Sequence, residues 1–305
     1  MAEPGAGILV TGGAGFIGGR LAARLKAGGD PVVAVDRAEV DLSDRLAVER
    51  LMAELRPARV VHLAGSLDRR NHPDAVAAQW KDTFEAGRNV VLTAAAAGVE
   101  HLLVAGSIEE LGSQGGALTP GLPVAPVTVY GLCKSLLREV TGFAAKTGGL
   151  RADWFRPFIV YGPGQRGPMV VPYAFESAAR ATPADFSDGV QERDFVFVDD
   201  IVEWLVEGVH ADAAGGKGQL VVQHLGSQTA ITVRQVLSLI AAEFPSSAFN
   251  IGAVPRRSWE PAVQLSGLNP GGQPWRWEPA VGIEDGIRRT AAWWRAEVSA
   301  GRSQG

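Results

Sequence analysis

The chain has 305 residues, 46% of them hydrophobic and 20% charged, with a net charge of −4. That length suits one large domain, or one domain with a smaller lobe; the charge balance excludes a basic nucleic-acid binder and shows no charge run of a disordered tail. A single cysteine, Cys133, excludes an internal disulfide framework and fits a reducing compartment; the non-basic start M-A-E-P-G-A and apolar runs of strand length predict neither a secretory leader nor a membrane span. The expectation is a soluble, cytoplasmic globular protein.

In chain order, strands are predicted at Ile8–Val10, Pro31–Val35, Arg59–Leu63, His101–Ala105 and Ala152–Ile159. Several are near-continuous apolar runs, as expected where both faces of a sheet are covered. Helices are predicted between them at Phe16–Ala27, Ser43–Leu55, Asp74–Ala97 and Tyr130–Thr147, with Ser43 or Asp44 capping the second and Gly98 stopping the third. Strands separated by helices imply right-handed crossovers and an α/β, doubly wound parallel sheet. After Pro163, Gly and Pro become frequent and tryptophans gather at Trp275, Trp277, Trp293 and Trp294. Val196–Val198 and Gln219–His224 read as strands, Thr232–Phe244 and Ile283–Ala296 as helices. Residues 1–162 are therefore expected to form the main domain, and residues 163–305 a smaller α/β lobe interleaved with the end of the sheet. The tryptophans are expected to pack core and lobe rather than stack a base.

The segment G-I-L-V-T-G-G-A-G-F-I-G at residues 7–18 places Gly12, Gly15 and Gly18 at i, i+3 and i+6, after a strand and opening a helix with Phe16 and Ile17. Glycine reaches the positive φ of so tight a turn, and bare backbone can approach a pyrophosphate at the positive end of the helix. Gly18 would let that helix pack closely on the sheet. Asp36 ends the second strand, where a carboxylate can accept from both hydroxyls of an adenine ribose. It repels a 2′-phosphate and so favours NAD over NADP, whereas the neighbouring Arg37 could hold that phosphate. Asp41 and Leu42 either border the adenine or belong to a helix cap.

Tyr130 and Lys134 stand four residues apart on one helix, hence on one face. A phenol titrates too high to serve as a base at neutral pH, and a cation within a few ångströms lowers that value. The pair can then exchange a proton with a sugar hydroxyl or ketone, and Lys134 can bond a nicotinamide ribose. Without the upstream glycine loop, the same spacing would describe the surface of any amphipathic helix. Ser107, at the carboxyl end of H-L-L-V-A-G-S, could hold a substrate oxygen in register with Tyr130, or simply cap a helix.

With these residues the chain resembles an extended short-chain dehydrogenase/reductase of the NAD-dependent epimerase/dehydratase family, whose enzymes act on nucleotide-diphosphate sugars. The resemblance runs from residue 7 to about residue 295, through T-G-G-A-G-F-I-G, H-L-A-G, S-I-E-E-L-G at 107–112, Y-G-L-C-K, R-P-F-I-V-Y-G-P-G-Q at 156–165 and G-V-Q-E-R-D-F-V-F-V-D-D at 189–200. It implies a Rossmann-type fold and a catalytic set of Ser107, Tyr130 and Lys134. His62, Leu63, Ala64 and Gly65 would line the dinucleotide. Arg193 would hold the substrate diphosphate unless it forms a structural ion pair, and Arg256 or Arg257 would add a second contact.

Glu109 stands where dehydratases of the family carry a glutamate base, but Ile108 replaces the acid of one dehydratase branch. The S-x-E-E-x-G pattern is also similar to that of 4-keto-6-deoxyhexose reductases, in which the glutamate is polar lining. Ile159, Leu111 and Thr83 depart from the family's usual asparagine, tyrosine and asparagine, implying a modified sugar pocket. Cys133 is expected to pack. The first reading is NAD-dependent oxidoreduction at C4 of a nucleotide-diphosphate sugar, epimerase or dehydratase in type, with a transient 4-ketone. The second is an NAD(P)H-dependent 4-ketoreductase, and a non-catalytic dinucleotide sensor is a third. The long helices at Asp74–Ala97 and Tyr130–Thr147 resemble the family's dimer bundle, so a homodimer is expected. No nucleic-acid partner, membrane contact or metal site is expected.

Overall fold

Alternate residues of three short strands point to opposite faces, and both faces are buried. The protein is described here by a computed structural model covering residues 7–66, 68–69, 72–213, 216–269 and 277–301. Strand β1 (Ile8–Thr11) leads through the glycine turn to helix α1 (Phe16–Ala27), then β2 (Val32–Val35), α2 (Arg45–Leu55) and β3 (Arg59–His62). Helix α3 (Pro73–Ala78) continues through a π-helical stretch, Gln79–Glu85, into α4 (Ala86–Ala96). After β4 (His101–Ala105) come a 3-10 turn at Ile108–Leu111, β5 (Gly116–Leu118), α5 (Val129–Gly148), β6 (Arg151–Pro157) and β7 (Ile159–Tyr161).

The remaining chain forms α6 (Val170–Arg180), β8 (Pro183–Phe186), β9 (Glu192–Phe197), α7 (Val198–His210), β10 (Leu220–Leu225) and β11 (Ala230–Thr232). It ends with α8 (Val233–Glu243), β12 (Ala248–Ile251), β13 (Val263–Ser266) and α9 (Ile283–Ser299).

Among the described residues the main sheet is wholly parallel, in the order β10-β6-β4-β3-β1-β2. Ile8, Val10, Val61 and Leu103 face one layer with Leu21 and Leu25 of α1 and Ile201 and Leu205 of α7. Leu9, Val60, Leu102 and Val104 face the other, with Met52 of α2, Val90 of α4 and Leu137 of α5. This period-2 division is what a doubly wound sheet demands. A third core under β8 and β9 gathers Phe175 of α6, Leu237 of α8 and Trp294 of α9. Trp277 packs against the first core and Trp293 against the third. Trp275 lies outside the described residues. No described helix is long and apolar enough to cross a membrane.

Two expectations change in detail, and the open choice of cap on α2 is decided. The single strand expected at Ala152–Ile159 is two, because Pro157 has no N–H for a ladder: β6 stays in the main sheet and β7 pairs with β9 in a second one. Val198, expected to end a strand, opens α7, whose first turn carries Asp199 and Asp200 at its positive end. Asp44, not Ser43, caps α2 through the amide of Leu46, while the Ser43 hydroxyl donates to Asp41. Gly98, at φ +77°, follows α4 as anticipated.

Candidate active site

The glycine turn closes on itself so tightly that side chains have no room. A Cβ on Gly12, at φ +77°, would lie 2.9 Å from the amide nitrogen of Ala64, and one on Gly18 would lie 2.1 Å from the carbonyl oxygen of Gly12. Gly15 donates its N–H to that same carbonyl at 2.9 Å. Helix α1 then starts with no side-chain cap and no acidic residue in its first turn, so its first amides, with Phe16 and Ile17 partly exposed beside them, remain free to bind an anion. These features fit the pyrophosphate of a dinucleotide. Leu63, Ala64 and Gly65 follow β3 directly across from Gly12, and Gly65 is exposed.

Asp36 stands at the carboxyl end of β2, half-buried, its carboxylate accepting from the amide of Ala38 at 2.7 Å. Arg37 does not reach back over this site. Its guanidinium makes a bidentate pair with Asp82, at 3.0 and 2.6 Å. Asp41 accepts from the Ser43 amide and hydroxyl and faces Lys81 at 3.5 Å; the Ser43 bonds hold its carboxyl below the usual range. Leu42 is buried in the core and its carbonyl accepts from Asn89.

Ser107, Tyr130 and Lys134 come together at the carboxyl edge of β4, where ligands of doubly wound sheets bind. All three are buried, at 7%, 8% and 2% exposure. Thr128 caps α5 on the Gly131 amide, and Gly131 packs so closely on Glu109 that a Cβ would lie 2.4 Å from its carbonyl oxygen. That contact sets Tyr130, at the start of α5, close enough to Ser107 for the serine to act on its phenol. Lys134 donates to the carbonyl of Ala105 at 2.7 Å and stands 5.8 Å from the Tyr130 ring centre. Burial pushes the lysine down to about 8.

The cation nearest the phenol is not Lys134, as the helix spacing suggested, but Arg69. Its guanidinium carbon lies 4.2 Å from the Tyr130 ring centre. Burial pushes the Tyr130 phenol above its ordinary value, while Arg69 and Ser107 oppose that shift and Glu109 adds to it. Arg69 lies in a loop whose sequence has neither periodicity nor motif, and only its neighbour in space, Glu109, marks it. The Arg69 Nε to Glu109 Oε1 distance is 2.5 Å. The other Glu109 oxygen accepts from Thr128 at 2.8 Å. Both oxygens are thus engaged.

The second glutamate of S-I-E-E, Glu110, is the structural one. It is fully buried, accepts from the Ser107 amide at 2.8 Å and the Trp154 indole at 2.9 Å, and pairs with Arg156 at 2.8 Å. It completes a capping box with Ser107 and so fixes the serine hydroxyl. Behind the site, His62 shares a 2.7 Å hydrogen bond with Thr11, and burial drives it down to about 3. Thr83 accepts from the Ser66 amide at 3.0 Å. Cys133 is buried between Tyr130 and Lys134 in the chain, and burial raises its thiol to about 11, which fits packing.

Farther out, Ile108, Glu109, Thr128, Trp259 and Gln264 line a small cleft. Arg193, on β9, is buried, pairs with Glu260 at 2.8 Å and donates to the Glu192 carbonyl. Arg256 pairs with Asp188 at 3.1 Å and lies close enough for its charge to lower the basicity of Arg193, an effect smaller than burial. Arg257 stacks on Trp259, at 5.5 Å. Ile159 and Leu111 are, respectively, half-buried on β7 and fully buried.

Known proteins share this layout. The model of the NAD dependent epimerase/dehydratase family matches residues 8–222. A UDP-glucose 4-epimerase of Mycolicibacterium smegmatis is 28% identical, over 94% of this chain and 98% of that protein. Among solved structures, MoeE5 in complex with UDP-glucose and NAD superposes with a TM-score of 0.82 at 25% identity, covering 96% of this chain and 99% of that one. The UDP-glucose 4-epimerase of Thermus thermophilus in complex with NAD gives 0.79 at 25% identity, covering 94% of this chain and 98% of that one.

Proposed function

Since the chain belongs to the NAD dependent epimerase/dehydratase family, we propose that it inverts C4 of a nucleotide-diphosphate hexose through a transient 4-ketone. The observation that carries this reading is the gathering of Ser107, Tyr130 and Lys134, all buried, at the carboxyl edge of the sheet beside the glycine cradle. When bound, NAD supplies the two-electron oxidation of C4 and the matching reduction. Gly12, Gly15 and Gly18 with the first turn of α1 would hold its pyrophosphate, and Asp36 its adenine ribose.

The protein's own residues handle the proton. Ser107 holds the C4 oxygen, and Tyr130 takes its proton as the ketone forms and returns one as the alcohol is restored. Lys134, fixed on the Ala105 carbonyl, orients the ribose side of the site. Arg193 and Arg256, their charges within range of each other, would receive the diphosphate by exchanging Glu260 and Asp188 for phosphate oxygens.

Epimerisation fits better than dehydration because Glu109 has both oxygens engaged by Arg69 and Thr128, and Ile108 carries no proton to donate. A tightly held NAD, used in a closed cycle, fits Asp36 beside an Arg37 that is already paired to Asp82. The test is turnover of nucleotide-diphosphate hexoses by the protein and its Tyr130→Phe form. Unchanged turnover in the variant rules the reading out.

We further propose a homodimer through α4 and α5. Leu132, Leu136 and Phe143 form an exposed apolar stripe at helical spacing on α5, at 37%, 37% and 64% exposure, beside Leu92 of α4. The solution mass should be twice the chain's 32.1 kDa, and Phe143→Asp should halve it. A monomeric mass for the unaltered protein contradicts this assembly.

A further inference from the structure

Two groups of opposite charge and one phenol meet where Tyr130 faces the site, and the arrangement does not follow from the Tyr–Lys spacing. Arg69 comes from the loop after β3, Glu109 from the turn after β4, and Tyr130 from α5. The guanidinium carbon of Arg69 lies 4.2 Å from the phenol ring centre, against 5.8 Å for the Lys134 ammonium, which is already donating to Ala105. Coulomb attraction falls with distance, and a cation over a ring face adds its own attraction.

The loop that carries Arg69 is built for this placement. The Ser66 amide donates to Thr83 at 3.0 Å, and Gln79 donates to the carbonyls of Ser66 and Asp68 at 3.1 and 2.6 Å. Thr83 in turn donates to Gln79 at 2.8 Å. Gln79 and Thr83 both belong to the π-helical stretch Gln79–Glu85 and are its buried residues. The extra residue of a π turn re-aims side chains, and such turns recur at functional sites. Here it turns two polar side chains inward to clamp the loop.

We infer that Arg69 is a positioning residue that sets the proton affinity of Tyr130, the part usually given to the lysine one helical turn on. Glu109 tempers it: the carboxylate draws the guanidinium at 2.5 Å and is itself steadied by Thr128. The groups facing the phenol are Arg69 from its loop, Ser107, Glu109 and Glu110 from the turn after β4, and Lys134 from its own helix. Removing Arg69 takes away the largest of the effects that oppose burial and the two carboxylates. Removing Glu109 leaves Arg69 undiluted. The inference rests on Tyr130 being the proton-transfer group proposed above, but its test does not require a sugar substrate.

The experiment is a tyrosinate absorbance titration of the full chain, taken as the difference from Tyr130→Phe. Only three tyrosines are present, and Tyr161 is pushed well above its ordinary value by burial. Arg69→Gln should raise the Tyr130 midpoint by about one pH unit or more. Arg69→Lys should keep most of the wild-type value, and Glu109→Gln should lower the midpoint. The alkaline side of the kcat–pH profile should move with it. A midpoint indifferent to Arg69→Gln, or moved further by Lys134→Met, overturns the inference. If Arg69→Gln does not fold, an unmoved midpoint in Glu109→Gln overturns it equally. An Arg69-dependent titration in a protein that turns over no nucleotide sugar would sink the epimerase reading alone.

Discussion

Glu110 and Arg156 form an ion pair with no exposed side-chain surface on either partner, 2.8 Å apart, directly beneath Ser107. The pair is hydrogen-bonded all round. Arg156 donates twice to one carboxylate oxygen, and the other oxygen accepts from Trp154 and the Ser107 amide. Breaking such a pair leaves a buried charge without a partner. Glu110→Ala should therefore cost about 3–5 kcal/mol of unfolding free energy, measured by denaturant titration. Replacing Glu109, which is part-exposed, should cost far less. Equal losses at the two positions would show that the wrong glutamate has been given the structural role.

The glycine cradle predicts a defect in cofactor binding. A Cβ at Gly18 would collide with the Gly12 carbonyl at 2.1 Å, whereas one at Gly121 meets nothing within 4 Å. Gly18→Ala should weaken NAD at least about tenfold, or about 1.4 kcal/mol, by fluorescence titration. Gly121→Ala should bind as the unaltered chain does. Unchanged affinity in Gly18→Ala would remove the cradle from the account.

Cofactor choice should be adjustable at Asp82, through its hold on Arg37. Asp82 holds Arg37 in a bidentate pair. Asp82→Asn weakens that hold, and a freed guanidinium can meet a 2′-phosphate. The ratio of NADP to NAD affinity should rise on the order of tenfold, about 1.4 kcal/mol. A fixed ratio would mean that Arg37 does not bear on the choice.

Much of this layout was legible in the chain itself, for physical reasons. Strands buried on both faces announce themselves as unbroken apolar runs, so β1, β3 and β4 were found within a residue of their ends. The glycine turn and the Tyr–Lys helix carry their constraints locally, in adjacent residues. Other features exist only in three dimensions. Nothing in S-I-E-E says which glutamate turns inward, because that depends on the pitch of a four-residue 3-10 turn. Arg69 has no local signature; its role comes from a clamp by Gln79 and Thr83 and from Glu109 across the site. The pairing of Arg37 with Asp82 joins residues 45 apart in sequence, and no periodicity reports it.

Two buried histidines should make the fold acid-sensitive. Burial lowers His62 to about 3 and His224 to about 4, from an ordinary 6.5. Below pH 6.5 the unfolded chain takes up protons that the folded chain refuses, so stability falls as pH falls. His224 contributes down to about pH 4 and His62 down to about pH 3. Each adds roughly 1.4 kcal/mol per pH unit within its window. Urea unfolding between pH 7 and 4.5 should show this slope, and His62→Gln should remove one histidine's share of it. A slope untouched by that substitution would mean His62 is not held neutral.

Lys134 should behave in the opposite sense to a stabilising lysine. Its folded value of about 8 lies below its ordinary 10.5, so the folded state holds the charge less well than the unfolded one. The cost is fully present below about pH 8 and fades as pH rises towards 10.5. Lys134→Met should therefore unfold at a higher temperature than the unaltered protein at pH 7, with the gap closing towards pH 10. A gap that widens with pH would contradict the burial of a charged ammonium.

The measurement that bears most directly on C4 epimerisation is a proton NMR time course of the purified protein with a nucleotide-diphosphate hexose in deuterium oxide. Oxidation and reduction at C4, with Tyr130 handling only the oxygen-bound proton, interconverts the two C4 epimers and leaves every ring carbon with its original hydrogen. Elimination with Glu109 as base would instead put solvent deuterium on the carbon next to the ketone and yield a product short of one water. The expected result is a mixture of C4 epimers free of ring deuterium, with Tyr130→Phe slowed by about a hundredfold or more. Deuterium at C5, or a dehydrated sugar, would contradict it.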